Sequence, residues 1–164
     1  MSFVPIEETV VSLLKEHGLT VTTAESCTGG LLCGRIVNVA GASDVLNEGF
    51  ITYSNEAKMK HLGVSTATLE NHGAVSRECA EEMAAGLAKH TGADAALSTT
   101  GIAGPGGGTE EKPVGLVYIG CCLLGDVTVR ELRLRGDRAQ IRNEAAKEAL
   151  ELLAACIRRH FSEK

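Results

Sequence analysis

The sequence lacks tryptophan altogether and contains only three phenylalanines and two tyrosines among 164 residues. A folded core must therefore be built from Leu, Ile, Val and Ala rather than from aromatic rings. Hydrophobic residues make up 44% of the chain and charged residues 23%, which excludes intrinsic disorder. A chain of this length buries enough surface for one core, so we predict a single domain over residues 1–164.

The sequence also lacks any block of Lys and Arg, and its formal net charge is −5. This composition argues against nucleic acid or an anionic membrane surface as the partner. No apolar run approaches the roughly 20 residues that a membrane-spanning helix needs. The first residues are acidic where a signal peptide would be basic, so we expect a cytoplasmic protein.

Metal-binding and redox motifs are missing as well. The six cysteines include no C-x-x-C pair, and the five histidines form no H-E-x-x-H. We therefore expect no metal site, and we interpret the cysteines as small buried apolar residues. Cys121 and Cys122 are adjacent in a predicted strand and should point to opposite faces of the sheet.

The hydrophobic periodicity predicts helices and strands in the order α-β-α-β-α-α-β-β-β-α. A tight turn at Gly125 and Asp126 between two predicted strands favours an antiparallel hairpin. We therefore expect an α/β fold, a three-layer α/β/α sandwich with a mixed, mostly parallel sheet.

The segment T-A-E-S-C-T-G-G, residues 23–30, joins the first predicted strand to a helix. The amides of Gly29 and Gly30 would be unpaired there and could bind a phosphate or an oxyanion, with Ser26 beside them as a nucleophile. The alternative interpretation is that Ser26 or Thr28 caps the helix and that the glycines ease packing.

A nucleophilic serine needs a base, and no histidine stands in a recognisable relation to Ser26. Lys58 ends the segment Y-S-N-E-A-K after the second predicted strand, and burial could lower the pKa of its amine. Tyr53 could then relay a proton or orient the amine. The alternative is a surface lysine at a helix N-terminus and a tyrosine in the core.

Two further segments could bind an anion. Gly101–Gly108 follows a predicted strand that ends at Thr99 and Thr100, and its dense glycines allow a backbone nest around a ligand. Arg138 and Arg142 lie on one face at the start of the last helix, where basic residues oppose the helix dipole. A flexible loop, and salt bridges to nearby acidic residues, are the respective alternatives.

Taken together, the motifs T-A-E-S-C-T-G-G, G-x-x-x-Y-S-N-E-A-K, T-G-I-A-G-P-G-G-G-T, K-P-V-G-L-V-Y-I-G and G-D-R-x-x-I-R resemble the CinA C-terminal-domain family, the nicotinamide-nucleotide amidohydrolases of the PncC type. The resemblance extends over about residues 6–155. It implies hydrolysis of nicotinamide mononucleotide to nicotinate mononucleotide and ammonia, within pyridine-nucleotide recycling. It also implies a three-layer fold and a homodimer or higher homo-oligomer. Many members carry an additional N-terminal domain, so this chain is expected to be the stand-alone form.

The resemblance also implies roles for individual residues. The nucleophile is Ser26 and the base is Lys58, assisted by Tyr53, without metal or cofactor. The residues implied in substrate binding are Thr28, Gly29, Gly30, Asn55, Thr100, Gly101, Gly104, Gly106 and Arg142.

Two other functions use the same residues. A non-catalytic nucleotide- or phosphate-binding module would need the amide-rich turns and Arg142 but no nucleophile. A thiol hydrolase would use Cys27 in place of Ser26, although no histidine is in view to stabilise its thiolate.

Overall fold

The computed structural model of the protein describes residues 2–162, whose helices and strands largely follow the predicted order. Two elements are additional within these residues, a short 3₁₀ helix at Ala42–Asp44 and a third helix between the second and third strands. The elements are α1 (Ile6–Glu16), β1 (Val21–Glu25), α2 (Leu31–Val37), β2 (Leu46–Ile51), α3 (Asn55–Leu62), α4 (Thr66–His72), α5 (Arg77–Thr91), β3 (Ala95–Gly101), β4 (Leu116–Leu123), β5 (Asp126–Arg133) and α6 (Arg138–Ser162).

The five strands form one mixed sheet in the order β2-β1-β3-β4-β5. Strands β2, β1 and β3 are parallel, and β4 runs antiparallel to both of its neighbours. Four of the five strands therefore share a direction, which confirms the predicted mixed, mostly parallel sheet. The β4–β5 hairpin turns at Leu124 and Gly125, one residue earlier than predicted, and both have positive φ.

Helices cover both faces of the sheet and complete three layers. One face packs against α1, α2 and α6, and the other against α5, with α3 and α4 beside it. Cys121 belongs to the first core and Cys122 to the second, so the adjacent cysteines point to opposite faces as predicted. Both cores consist mainly of aliphatic side chains and alanine, as the shortage of aromatic residues requires.

Strand β1 lies between two parallel neighbours and is more buried than its sequence suggests. All five of its residues are buried, including the polar Thr22, Thr23 and Glu25. Thr22 is accommodated because its hydroxyl donates to the Glu48 carbonyl of the neighbouring strand. Buried polar side chains at the carboxyl end of β1 are the first structural sign of a functional site.

Helix α3 is held against α5 by a close backbone approach. A Cβ placed on Gly86 of α5 would lie 1.7 Å from the Leu62 carbonyl oxygen, so only glycine permits this packing. The Ser54 side chain caps the other end of α3 by accepting from the Ala57 amide. Together these contacts fix the helix that carries Lys58.

A helix that crosses a membrane must be both long and apolar. Within residues 2–162, no helix combines the length and the apolar character that a bilayer-spanning helix needs.

Candidate active site

Ser26 lies immediately beyond the carboxyl end of β1, where the chain turns toward α2. It is 9% exposed, and its amide donates to the Thr99 carbonyl of β3 at 3.0 Å. The neighbouring strand β2 ends at the same edge of the sheet, because Glu25 pairs with Ile51. Parallel pairing therefore brings the segment after β2 next to Ser26, at the edge where α/β proteins bind ligands.

Lys58 reaches this edge from the first turn of α3. Its side chain is 1% exposed, and its Nζ atom lies 3.0 Å from Ser26 Oγ. The same Nζ contacts the carbonyl oxygens of Thr52 at 2.9 Å and Tyr53 at 3.0 Å. Burial is the main cause that lowers the pKa of this amine below that of an ordinary lysine.

Three acceptors surround Lys58 Nζ, namely the carbonyls of Thr52 and Tyr53 and Ser26 Oγ, and a charged amine donates to all three. When the amine is neutral, its two protons satisfy the two carbonyls and its lone pair faces Ser26 Oγ. A lone pair aimed at a serine hydroxyl at 3.0 Å can accept its proton. This distance is one at which a serine and a neutral lysine can exchange a proton.

Tyr53 contacts the Lys58 amine through its backbone. Its phenol side chain is 63% exposed, whereas its main-chain carbonyl accepts from Lys58 Nζ. The same carbonyl lies 3.4 Å from Ser26 Oγ. Tyr53 thus orients the amine through its backbone, and it is not the core tyrosine of the alternative interpretation.

Glu25 is the residue whose part in the site sequence reasoning missed. Its carboxylate is 1% exposed and accepts from the amides of Gly30, Leu32 and Cys33 and from the Thr28 hydroxyl. These amides open α2, so the free helix terminus predicted for an external anion is already occupied. An acidic residue shortly before a helix start was the available signal.

The turn is also bonded to β3 through Thr99. Ser26 donates its amide to Thr99 Oγ1 at 3.3 Å, and the Thr28 and Thr99 hydroxyls are 2.8 Å apart. Since the Thr28 proton goes to Glu25, Thr99 donates in the second contact. Thr28, for which the family resemblance implies a substrate contact, is fully buried in this network.

Arg138 and Arg142, near the start of α6, both bind main-chain carbonyls. Arg142 donates Nε to the Cys27 carbonyl and Nη2 to the Thr28 carbonyl, each at 3.0 Å. Arg138 donates Nη1 to the Gly104 carbonyl at 2.8 Å. Asp137 accepts from the Gln140 amide and so caps α6.

The other residues for which a substrate contact was predicted lie around this hydrogen-bond network. Thr100 is 1% exposed and donates its hydroxyl to the Ala74 carbonyl. Gly101 ends β3, Gly104 is buried next to Val114, and Gly106 lies on the exposed tip of the loop. Gly29 and Gly30 both have positive φ and form the turn itself, and Asn55 is exposed at the start of α3.

Cys27, the rival nucleophile, is 7% exposed. Burial raises the pKa of its thiol to about 11, so it carries its proton at neutral pH. The Ser26 hydroxyl beside it has a base at hydrogen-bonding distance. Local chemistry therefore favours Ser26 over Cys27.

A metal site would need several His, Cys, Asp or Glu side chains close together. Across positions 2–162, no three side chains of His, Cys, Asp and Glu come together in a way that could hold an ion.

Comparison with known proteins places this arrangement in a family. The family sequence model of the CinA C-terminal domain matches residues 4–157. The chain belongs to the CinA C-terminal domain family. This CinA-family chain is 60% identical over 152 residues to the "CinA-like protein" of Kosmotoga olearia, an alignment that covers 93% of the chain and 37% of that relative. The chain thus spans a little over a third of the length of such curated relatives, 36% and 37% in two of them.

Solved CinA structures confirm the fold. The competence/damage inducible protein CihA of Agrobacterium tumefaciens is 46% identical, with a TM-score of 0.89 over 94% of this chain and 98% of that one. A CinA superfamily protein of Klebsiella pneumoniae is 34% identical, with a TM-score of 0.90 over 94% and 96%.

Proposed function

We propose that the chain hydrolyses the carboxamide of nicotinamide mononucleotide to nicotinate mononucleotide and ammonia. One observation carries the proposal, namely that the buried Lys58 Nζ lies 3.0 Å from Ser26 Oγ while two carbonyls accept its protons. Membership of the CinA C-terminal domain family supports the choice of substrate, because the sequence motifs resemble its nicotinamide-nucleotide amidohydrolases.

The reaction begins when Ser26 Oγ attacks the carboxamide carbon and Lys58 accepts the hydroxyl proton. The carbonyl oxygen becomes an oxyanion, which backbone amides of the Ser26 turn stabilise. Lys58 then returns the proton to the amide nitrogen, and ammonia leaves while the acyl group stays on Ser26. A water molecule, deprotonated by Lys58, hydrolyses the ester and releases the carboxylate product.

Ammonia release from nicotinamide mononucleotide tests the proposal directly. We expect turnover by the native chain, and a loss of about 10³-fold or more in Ser26→Ala because the nucleophile is gone. The Cys27→Ala variant is the matched control at the adjacent position and should keep turnover.

A second measurement addresses the non-catalytic binding module. Calorimetric titration of the native chain with nicotinamide mononucleotide should show binding whether the chain is an amidase or a binding module. The release of ammonia is therefore the measurement that separates the two functions. Binding without ammonia release, or full turnover by Ser26→Ala, would overturn the proposal.

A further inference from the structure

The Ser26 turn has two backbone amides whose directions are fixed but which donate to no other residue. Among residues 2–162, the N–H groups of Cys27 and Thr28 have no acceptor on another residue. Gly29, Gly30 and the first residues of α2 donate instead to Ser26, Glu25 and Thr28 within the turn. Only the amides of Cys27 and Thr28 therefore remain for an oxyanion formed next to Ser26 Oγ.

Peptide planarity links these amides to the carbonyls on the opposite side of each peptide unit. The Ser26 carbonyl accepts from the Gly29 amide at 3.2 Å, which fixes the Cys27 N–H. The Cys27 carbonyl accepts from Arg142 Nε at 3.0 Å, which fixes the Thr28 N–H. A cation on a carbonyl also polarises its peptide unit and makes the N–H a stronger donor.

Arg142 is committed to this turn by two bonds from one edge of its guanidinium. Nη2 holds the Thr28 carbonyl at 3.0 Å, and a Cβ on Gly29 would come within 3.2 Å of the same atom. Nε and Nη2 are thus occupied by protein carbonyls. These carbonyls also offset the unfavourable position of a cation near the start of α6.

We infer that Arg142 is a positioning residue that sets the Cys27 and Thr28 peptide units as an oxyanion site, and that it does not act mainly by gripping the substrate phosphate. The inference rests on the proposed Ser26 chemistry. It differs from the substrate-binding role that the sequence motifs imply for this arginine.

Two substrates separate the two roles, because nicotinamide riboside lacks the phosphate of nicotinamide mononucleotide. We expect Arg142→Gln to lower kcat by about 10²-fold on both, the cost of a misplaced oxyanion donor, with KM little changed. Arg142→Lys, which keeps the charge and can hold one carbonyl, should fall between. Arg158→Gln, an exposed arginine on the same helix, is the control. A rise in KM for the mononucleotide alone, with kcat retained, would overturn the inference.

A probe that needs no nucleotide separates this inference from the proposed function. A fluorophosphonate phosphonylates an activated serine and releases fluoride, and the P=O oxygen at the attacked phosphorus needs the same amide donors. We expect intact-mass kinetics to show Ser26 labelled at least tenfold more slowly in Arg142→Gln, with thermal melting as the check on folding. If the native chain labels but does not turn over nicotinamide mononucleotide, only the proposed substrate is wrong. If Arg142→Gln labels as fast as the native chain, the positioning role is wrong. Should Arg142→Gln not fold, Arg142→Lys serves for the same comparison.

Discussion

The Ser26 turn and the glycine-rich loop over residues 101–113 drew attention in the sequence for the same reason, yet they are built in opposite ways. Residues 25–28 of the turn are all buried, and side chains from α3, β3 and α6 bond to them. The loop is anchored at its base by Arg138 and Lys112, whereas residues 105–111 are exposed.

The difference teaches that glycine density does not measure functional order. In the turn, buried polar groups satisfy one another and hold each atom in one position, which is what catalysis requires. In the loop, glycine removes side chains and leaves the tip accessible to solvent and to a ligand. The same chemical change should therefore have very different effects in the two regions.

The largest contrast is expected for lysine-to-methionine substitutions. Lys58→Met should lower ammonia release by about 10³-fold, because it removes the base and leaves Ser26 protonated. Lys112→Met in the loop loses only a bond to the His72 carbonyl and should keep near-native turnover. Steady-state kinetics on both purified variants gives the comparison. Equal losses would mean that Lys58 acts through stability and not as the base.

The next contrast uses glutamate-to-glutamine substitutions. Glu25→Gln should lower the free energy of unfolding by about 3 kcal/mol, because an amide group would face the backbone donors that the buried carboxylate now satisfies. Glu111→Gln, exposed in the loop, should stay within about 0.5 kcal/mol of the native chain. Urea denaturation of both measures the difference. A stable Glu25→Gln variant would show that the turn does not depend on this carboxylate.

A smaller effect is expected from pH. Burial lowers the pKa of Lys58, and only the neutral amine can accept the Ser26 proton, so kcat/KM should rise with pH until that lowered pKa is passed. Below it the rate should change about tenfold per pH unit. The profile should reach its plateau below the ordinary lysine value of 10.5. A midpoint at the ordinary lysine value would contradict a buried neutral base.

The smallest effect is expected at Cys27. Its thiol has a pKa of about 11, so iodoacetamide at neutral pH should leave turnover of the native chain unchanged. Cys27→Ala should cost about 1 kcal/mol of stability through lost packing and little activity. Inactivation by iodoacetamide that disappears in Cys27→Ala would favour the thiol mechanism instead.

Local patterns in the sequence predicted much of the fold. The order of the strands and of most helices was predicted, because hydrophobic periodicity and capping residues such as Ser54 and Ser76 act over short distances. The pairing of Ser26 with Lys58 was also within reach of sequence reasoning. Both residues follow strands, and the carboxyl ends of parallel neighbours meet at one edge of a sheet.

Roles that depend on long-range packing were not predictable in the same way. The polar burial of β1 arises from its place between β2 and β3, and strand order is not encoded in β1 itself. Tyr53 was named for its phenol, but the turn of the backbone presents its carbonyl to Lys58. Glu25 was missed, and Arg142 was interpreted without its partners, since the bonds from Arg142 to the turn span 114 and 115 residues of chain.

The sequence by itself determined the elements, the aliphatic cores and the residue types that can carry amide hydrolysis, because these follow from local propensity, composition and motif. Only the tertiary structure decided which atoms of these residues contact one another. It buried Lys58 against two carbonyls, assigned the helix amides to Glu25 and turned Arg142 onto the Ser26 turn. The physical reason is that pKa values, free amides and bond directions depend on the burial and neighbours that folding brings together.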